Sequence, residues 1–238
     1  MEHYAARGFR AIARSWPGLE GDIEQLRRDP SAIARLGVRQ VTEHYQAIIR
    51  KLSKPPIIIG HSFGGLITQL LLDRGLGAAG VAIASTPLAG LASLPLPSDS
   101  EQAQGVLPLT LEQFQDAFAH DLSEDEARAL YLRYAVPGPD RALFDSEFAD
   151  IDAVDVRNHQ RAPLLFIAAD EDRLSPAARV KANAESYGRS NAVTDFKEFP
   201  GRTNFLIAQQ GWLEVADFAL DWSLHVSAGF QRRLRGAG

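Results

Sequence analysis

Residues 57–65 read Ile-Ile-Ile-Gly-His-Ser-Phe-Gly-Gly, and this stretch decides the fold. Three consecutive β-branched residues are typical of a central parallel strand, which is buried on both faces. A helical pattern follows at 66–72, so Ser62 lies in a strand–turn–helix junction between Gly60 and Gly64. The G-x-S-x-G pattern in this context predicts a tight turn that presents the serine hydroxyl at the carboxyl edge of a sheet. Ser62 is therefore the candidate nucleophile.

Around this junction, short apolar runs alternate with helical patterns along the chain. Such alternation predicts βαβ units and an α/β fold with a mostly parallel sheet flanked by helices. The predicted strands, besides the one at 57–59, lie at 9–14, 81–84, 164–168 and 194–199. The predicted helices of the core, besides the one at 66–72, lie at 38–52 and 204–226.

The stretch between residues 85 and 161 has no strong strand pattern. Helices are predicted at 111–120 and 123–134, and Ser123 with Glu126 forms a capping box at the start of the second. An insertion of this length between two core strands predicts a helical cap at 86–161 over the carboxyl edge of the sheet. The core then consists of residues 1–85 and 162–238.

Composition excludes several classes of function. The 238 residues suit one domain with a sizeable insertion. With 25 Lys+Arg against 30 Asp+Glu, the net charge of −5 argues against a nucleic-acid or anionic-membrane partner. There is no cysteine, which excludes disulfides, thiolate catalysis and cysteine-bound metals. No nucleotide-binding loop, metal-ligand cluster or flavin signature is visible, so we predict no cofactor and a small-molecule ligand.

Targeting and membrane segments are not predicted either. The first seven residues carry charge at once and have no apolar region typical of a signal peptide. Residues 76–97 carry no charge, but repeated Gly and Pro predict a buried strand and a loop rather than a membrane helix. Because the chain also lacks cysteine, which fits a reducing compartment, we predict a cytoplasmic location.

With these features together, the sequence resembles the α/β-hydrolase fold family from residue 9 to about residue 222. The turn at 60–65 is the most specific part of the resemblance. It implies that Ser62 is the nucleophile of a serine hydrolase acting on a small ester or related acyl substrate. The backbone amide of Phe63, at a helix N-terminus, is then expected to stabilise the oxyanion, and His61 to pack beside or line the pocket.

The catalytic acid of the family normally follows the strand after the cap, in a pattern like G-x-x-D-x-x-x-P. Residues 168–176 read Ala-Ala-Asp-Glu-Asp-Arg-Leu-Ser-Pro and occupy that place. Asp172 matches the acid, and Asp170 is the alternative two residues earlier. A carboxylate here would orient the base and stabilise its protonated form.

At the base, the sequence departs from the family. The histidine is expected in a stretch of the form F-P-G-x-x-H, and residues 199–204 read Phe-Pro-Gly-Arg-Thr-Asn. The position is held by Asn204, whose amide cannot take a proton near neutral pH. His120 and His159 of the predicted cap could approach from above, although a structural or solvated role is the better prediction for each.

A second departure concerns the first strands of the family. The second oxyanion donor of the family comes from a loop after an early strand, often marked His-Gly, and no such loop precedes residue 9. The resemblance thus implies that the first strands are absent and that the strand ending at Ser62 lacks one neighbour.

Three functions stay open: a serine hydrolase with a substitution at Asn204, an inactive ligand-binding protein, and a lyase or cyclase using the same pocket. The intact Gly60, Ser62, Gly64 and Gly65 favour the first.

Overall fold

The structure is a computed structural model that describes residues 1–34, 36–88, 109–138 and 154–236. The described strands are β1 (Ile57–His61), β2 (Ala79–Ile83), β3 (Leu164–Ala169) and β4 (Thr194–Phe199). The described helices before β2 are α1 (Glu2–Ala6), α2 (Ile23–Arg28), α3 (Ser31–Ala34), α4 (Val38–Ile49) and α5 (Phe63–Asp73). Those after β2 are α6 (Leu111–Phe118), α7 (Glu124–Tyr134), α8 (Ala177–Ser186) and α9 (Trp212–Gly236).

The strands in the described ranges form one parallel sheet in the order β1-β2-β3-β4. Ile57 pairs with Ala79, Gly80 with Leu164, and Leu164 with Thr194. Since all the strands run the same way, the chain leaves every strand at one edge of the sheet. The predicted parallel sheet flanked by helices is confirmed, and the chain segments that follow the four strands meet at this carboxyl edge.

Helices cover both faces of the sheet, as the alternation of side chains along β3 shows. Leu164, Phe166 and Ala168 pack in one core cluster with residues of α4, α5 and α8. Leu165 and Ile167 point to the opposite face and pack with residues of α9. All six residues of β3 are buried, which explains why its sequence is a continuous apolar run rather than an alternation of apolar and polar residues.

The β1 strand is less buried than β3, although it begins with three isoleucines. Ile57 and Ile58 are half-buried and Ile59 is 37% exposed. Within the described residues, β1 pairs with β2 on one edge and with no strand on the other. The exposure of β1 therefore follows from its position at the edge of the described sheet.

The strand predicted at 9–14 is not formed, so that prediction was wrong. The segment has no regular secondary structure, and its end is fixed by the Tyr45 hydroxyl, which donates to the carbonyl of Arg14 at 2.7 Å. Nearby, Trp16 packs edge-on against Phe63 at 5.1 Å between ring centroids. A strand needs a neighbour for its backbone hydrogen bonds, and no described strand lies beside this segment.

The helix predicted at 204–226 begins later, at Trp212. Residues 203–211 form successive turns, in which Leu206 N–H donates to Thr203 at 3.1 Å and Gln209 N–H to Phe205 at 2.9 Å. Gly211 has φ of 82°, a left-handed conformation that separates these turns from α9. The apolar spacing of the turns resembles a helix, which explains the wrong start.

The two helices predicted inside the insertion are present as α6 and α7, and Ser123 caps α7 through Glu126 as predicted. Part of the predicted insertion, at 89–108 and 139–153, lies outside the described residues. No helix in the described part of the chain combines the length and the apolar content that crossing a lipid bilayer requires.

Candidate active site

The turn between β1 and α5, which we call the elbow, holds Ser62 in an unusual backbone conformation. Ser62 has φ of 52° and ψ of −117°. For a residue other than glycine this costs on the order of 1–3 kcal/mol, and it persists only where neighbouring groups enforce it. Here Ser62 N–H donates to Ile83 at 2.8 Å, while its carbonyl accepts from Gly65 at 2.9 Å and Thr86 at 3.1 Å. Both backbone groups of Ser62 are therefore fixed.

The glycines of the elbow have different roles. A Cβ atom on Gly60 would lie 1.9 Å from the carbonyl oxygen of Gly64, and one on Gly65 would lie 2.7 Å from Ser85 Oγ. A Cβ on Gly64 would meet nothing within 4 Å. Gly60 and Gly65 are thus required for the close approach of backbone and side chains, whereas Gly64 is not required sterically.

Asp172 lies in the turn after β3 and is 4% exposed. Its Oδ1 accepts hydrogen bonds from the backbone N–H groups of Leu174 and Ser175, both at 2.8 Å. Its Oδ2 accepts from Nδ2 of Asn204 at 2.8 Å. Burial raises the pKa of the Asp172 carboxyl, and these hydrogen bonds oppose the rise only in part. The carboxyl is therefore rigidly oriented.

Asn204 lies in the first turn after β4 and its side chain is completely buried. Its Nδ2 is used by Asp172, but among the described residues no group donates to its Oδ1. A buried amide oxygen without a partner costs about 1–3 kcal/mol. The Asn204 amide thus makes a hydrogen bond to Asp172 through Nδ2, whereas its Oδ1 is unsatisfied.

His61, the last residue of β1, is connected to the same pair. Its Nε2 lies 2.8 Å from the backbone carbonyl of Asn204, so Nε2 carries the proton and donates it. Burial lowers the pKa of the His61 imidazole. A neutral His61 therefore ties the end of β1 to the loop after β4, and its Nε2 is engaged.

The remaining candidates from the sequence lie elsewhere. Asp170, the alternative acid, is exposed and accepts a hydrogen bond from the backbone of Arg202 at 3.2 Å. His159 is exposed, and its Nδ1 accepts from the backbone of Asn191, a residue that precedes β4 and so lies near the opposite edge of the sheet. His120 is half-buried after α6, and no described group contacts its Nδ1 by a hydrogen bond.

Helix α6 and the turn after it contact the loops that carry this pair. Thr203 Oγ1 donates to the carbonyl of Phe118 at 3.1 Å, and Phe205 packs edge-on against Phe114 at 6.3 Å. Gln209 Nε2 donates to Asp121 at 2.9 Å. An ion pair joins Arg173 to Asp116. Helix α6 therefore lies at the carboxyl edge of the sheet, next to the loop that carries Asn204.

The turn after β2 and the buried side of α5 contact the elbow through residues that the sequence did not predict. Ala84 also has a positive φ, 44°, although alanine has no preference for that conformation. The Ser85 side chain lies against Gly65, and Gln69 Nε2 donates to Ser85 Oγ at 3.0 Å. Gln69, a long polar side chain among the buried leucines of α5, was the visible signal.

A surface cleft of about 380 Å³ lies between the end of α8 and the start of β4. It is lined by residues that include Lys181, Glu185, Thr194 and Asp195. Since Thr194 begins β4, the cleft lies near the opposite edge of the sheet from Ser62. In the described ranges, no cluster of three or more His, Asp or Glu side chains could hold a metal ion.

Comparisons with known proteins agree with this geometry. A family model described as "Alpha/beta hydrolase family" matches residues 1–218. Among solved structures, a methylesterase from Arabidopsis has a TM-score of 0.67 at 13% identity, covering 94% of this chain and 91% of that one. A polyneuridine aldehyde esterase mutant has 0.63 at 17%, covering 90% and 87%.

A monoacylglycerol lipase from Paleococcus ferrophilus has a TM-score of 0.56 at 16% identity, covering 82% of this chain and 77% of that one. Identities this low show likeness of fold alone. A search of curated proteins found no match.

Proposed function

We propose that this chain, which belongs to the alpha/beta hydrolase family, binds a small carboxylic ester or related acyl compound and that Ser62 is its nucleophile. The backbone of Ser62 is the main support: a φ of 52° is enforced by three hydrogen bonds at a strand–helix turn. A turn that only connected β1 to α5 would not need a strained serine. The structural neighbours named as esterases and a lipase support the same substrate class.

In this proposal the N-terminus of α5 stabilises charge at the substrate carbonyl. Ser62 Oγ attacks the carbonyl carbon, and the carbonyl oxygen takes the negative charge. The Phe63 amide is the first N–H of α5, where the helix dipole favours an anion. The Ser62 proton passes to solvent, and collapse of the intermediate releases the alcohol, which takes up a proton from solvent; water then frees the acid and regenerates Ser62.

Asn204 limits this reaction, because it occupies the position of the base. Its amide keeps the hydrogen bond to Asp172 that would orient an imidazole, at 2.8 Å. An amide cannot accept the proton of Ser62, so the proton must pass to solvent. General-base assistance contributes about 10²–10⁴-fold to rates in other enzymes. We therefore expect slow turnover with the elbow otherwise competent.

Residues 86–161 are proposed as a cap insertion, with 1–85 and 162–238 as the core and with α6 and α7 as the part of the insertion that covers the substrate. Contacts of α6 and of the turn after it with Thr203, Phe205 and Gln209 support this, since they join the insertion to the loop that carries Asn204. Aromatic and aliphatic side chains of α6 and α7 form their own small apolar cluster around Phe114. An apolar cap suits an acyl group of modest size. A cytoplasmic location stays a prediction from composition.

The test is Asn204→His with p-nitrophenyl acetate as substrate. We expect kcat/KM to rise on the order of 10²-fold over the native chain, because an imidazole at 204 can hydrogen-bond Asp172 and accept the Ser62 proton. Asn204→Gln is the matched control, since it keeps an amide and adds no base. Adding Ser62→Ala to Asn204→His should remove the gain. A folded Asn204→His that hydrolyses no faster than the native chain would contradict the proposal.

A second function, binding of an ester without hydrolysis, is favoured by the chemistry of Asn204 itself. The native chain would then bind an uncleavable ketone analogue of the ester, and Asn204→His would bind it equally but not gain hydrolysis. Calorimetric titration of both proteins with such a ketone separates the two functions.

A further inference from the structure

A buried polar network lies beside the first turns of α5. Its members are completely or almost completely enclosed: Gln69 is 1% exposed, Ser85 1%, Thr86 3% and Tyr187 1%. Polar side chains are expensive in an apolar core unless their hydrogen bonds are made, and leucine or phenylalanine would fill the same volume. The network therefore calls for an explanation beyond packing.

The network begins at a second strained turn, which lies directly beside Ser62. His61 pairs with Ile83 across β1 and β2, so the next residues, Ser62 and Ala84, are also neighbours. Both have positive φ, 52° and 44°. Thr86 N–H donates to the carbonyl of Ser62 at 3.1 Å. The conformation of the turn after β2 thus determines one of the hydrogen bonds that hold the elbow.

Ser85 connects this second turn to α5. Its Oγ donates to the carbonyl of Thr86 at 2.9 Å and accepts from Nε2 of Gln69 at 3.0 Å. Its side chain also lies so close to Gly65 that a Cβ there would be 2.7 Å from Oγ. Ser85 consequently sets the spacing between the turn after β2 and the first turn of α5.

Gln69 is in turn oriented from the far side of the core. Its Oε1 accepts a hydrogen bond from the hydroxyl of Tyr187 at 3.0 Å, which leaves Nε2 to donate toward Ser85. Tyr187 follows α8, and its ring lies 4.7 Å from the guanidinium of Arg161. Arg161 is itself held by the carbonyls of Ala162 and Val193, both at 3.0 Å. The amide of Gln69 therefore has one defined orientation.

We propose that Gln69 is a positioning residue for Ser62, acting through Ser85 and Thr86, and that Tyr187 fixes the orientation of its amide. Without Gln69, Ser85 Oγ loses its donor and the strained turn at Ala84 can relax. Thr86 N–H then moves away from the Ser62 carbonyl, and the serine hydroxyl loses its fixed direction. The inference rests on the proposed role of Ser62, but it concerns geometry and can be tested without hydrolysis.

The test uses a thiol in place of the serine hydroxyl. Because the chain has no cysteine, Ser62→Cys introduces a single thiol whose alkylation by iodoacetamide can be followed against pH. At the N-terminus of α5 we expect this thiol to have a pKa below the ordinary value of about 8.5. Adding Gln69→Leu should raise that pKa and slow alkylation at pH 7 by about threefold or more. Adding Tyr187→Phe should shift both in the same direction by less.

Thr42→Val is the matched control, because Thr42 is completely buried on α4 and donates to Val38 at 2.7 Å without touching the network. It should lower stability and leave the thiol profile unchanged. If Gln69→Leu does not fold, Tyr187→Phe, which keeps the ring, decides. An unchanged profile in the folded variants would overturn the inference.

Ester hydrolysis by the Asn204→His protein gives a second test of the role of Gln69. There Gln69→Leu should lower kcat about tenfold with KM nearly unchanged, because misplacement of a nucleophile affects the chemical step. A shifted thiol profile in a protein with no esterase activity would leave this inference standing and contradict the proposed function instead. If the thiol profile is unshifted but Asn204→His gains full esterase activity, the role of Gln69 is contradicted and the proposed function stands.

Discussion

The elbow and the Asp172–Asn204 pair lie at the same edge of the sheet, but only the elbow carries the side chain that the proposed reaction requires. At the elbow, Ser62 keeps its strained backbone and the hydrogen bonds that enforce it. At the pair, Asp172 keeps three hydrogen bonds, yet the side chain that it orients is an amide. In the proposed function, the hydrogen bonds that would orient a base come from several groups around Asp172, whereas proton transfer would depend on the side chain at 204 alone. The two can therefore be separated by a single substitution.

The amide of Asn204 also explains why the hydrogen bonds of Asp172 are complete. Nδ2 of Asn204 donates to Asp172 as a ring nitrogen would, so the carboxylate has no missing partner. Oδ1 has no donor among the described residues, and this is the one visible cost of asparagine there. A histidine would place a carbon near that point and its second nitrogen farther out. In the proposed function, an imidazole at 204 would therefore keep the hydrogen bond to Asp172 and would remove the unsatisfied oxygen.

The largest expected effect concerns the backbone of the elbow. Gly60→Ala places a Cβ 1.9 Å from the carbonyl of Gly64, so the strand or helix must move, and we expect a loss of about 3 kcal/mol or more in the free energy of unfolding. Gly64→Ala is the matched control. It meets nothing within 4 Å and should stabilise by about 0.5–1 kcal/mol. Urea unfolding measures both, and equal effects would contradict the distinction between the two glycines.

The next effect separates the two members of the buried pair. Asp172→Ala leaves the N–H groups of Leu174 and Ser175 and the amide of Asn204 without an acceptor. We expect it to lower the free energy of unfolding by about 3 kcal/mol. Asn204→Ala should cost only about 1 kcal/mol, because it also removes the unsatisfied Oδ1. If Asn204→Ala lowers the free energy of unfolding more than Asp172→Ala does, Asp172 is not the centre of this hydrogen-bond network.

The smallest effect is the pH dependence that His61 contributes. Its lowered pKa means that the unfolded chain binds a proton more readily, so its stabilisation is complete above pH 6.5 and is lost as pH falls through the folded value. That loss is at most about 1.4 kcal/mol per pH unit. His61→Gln keeps a donor for the Asn204 carbonyl and does not titrate.

Urea midpoints at pH 7.5 and 5.5 measure this contribution. The native chain should lose more stability between them than His61→Gln does. The raised pKa of Asp172 has the opposite sign: its stabilisation is present at low pH and lost as pH rises through the folded value. An identical pH dependence in both proteins would show that His61 is not buried in its neutral form.

Much of the fold could be predicted from local patterns. The β-branched run at 57–59, the apolar run at 164–168 and the alternation at 194–199 all correspond to strands. The segment at 9–14 has a similar pattern but no strand beside it in the described residues. Whether an extended segment becomes a strand depends on a neighbour elsewhere in the chain, which the segment's own residues do not reveal.

The candidate site likewise contains residues that the sequence identifies and residues that only the fold shows. Ser62, Asp172 and Asn204 could be found because motif spacing identifies them. Ala84 could not, because its positive φ is imposed by packing between β2 and the elbow and alanine carries no preference for it. Gln69 is a polar residue on a buried helix face, but only the fold shows that it meets Ser85.

The most direct measurement of whether the elbow is competent and the base is missing is the mass of the acyl-enzyme. Asn204→His and the native chain are each mixed with p-nitrophenyl acetate, quenched in acid within the first turnovers and digested for peptide mass analysis. We predict an acetyl group on Ser62 that forms much faster in Asn204→His and is absent when Ser62→Ala is added. Acetylation at equal rates in both proteins, or only on residues other than Ser62, would contradict this.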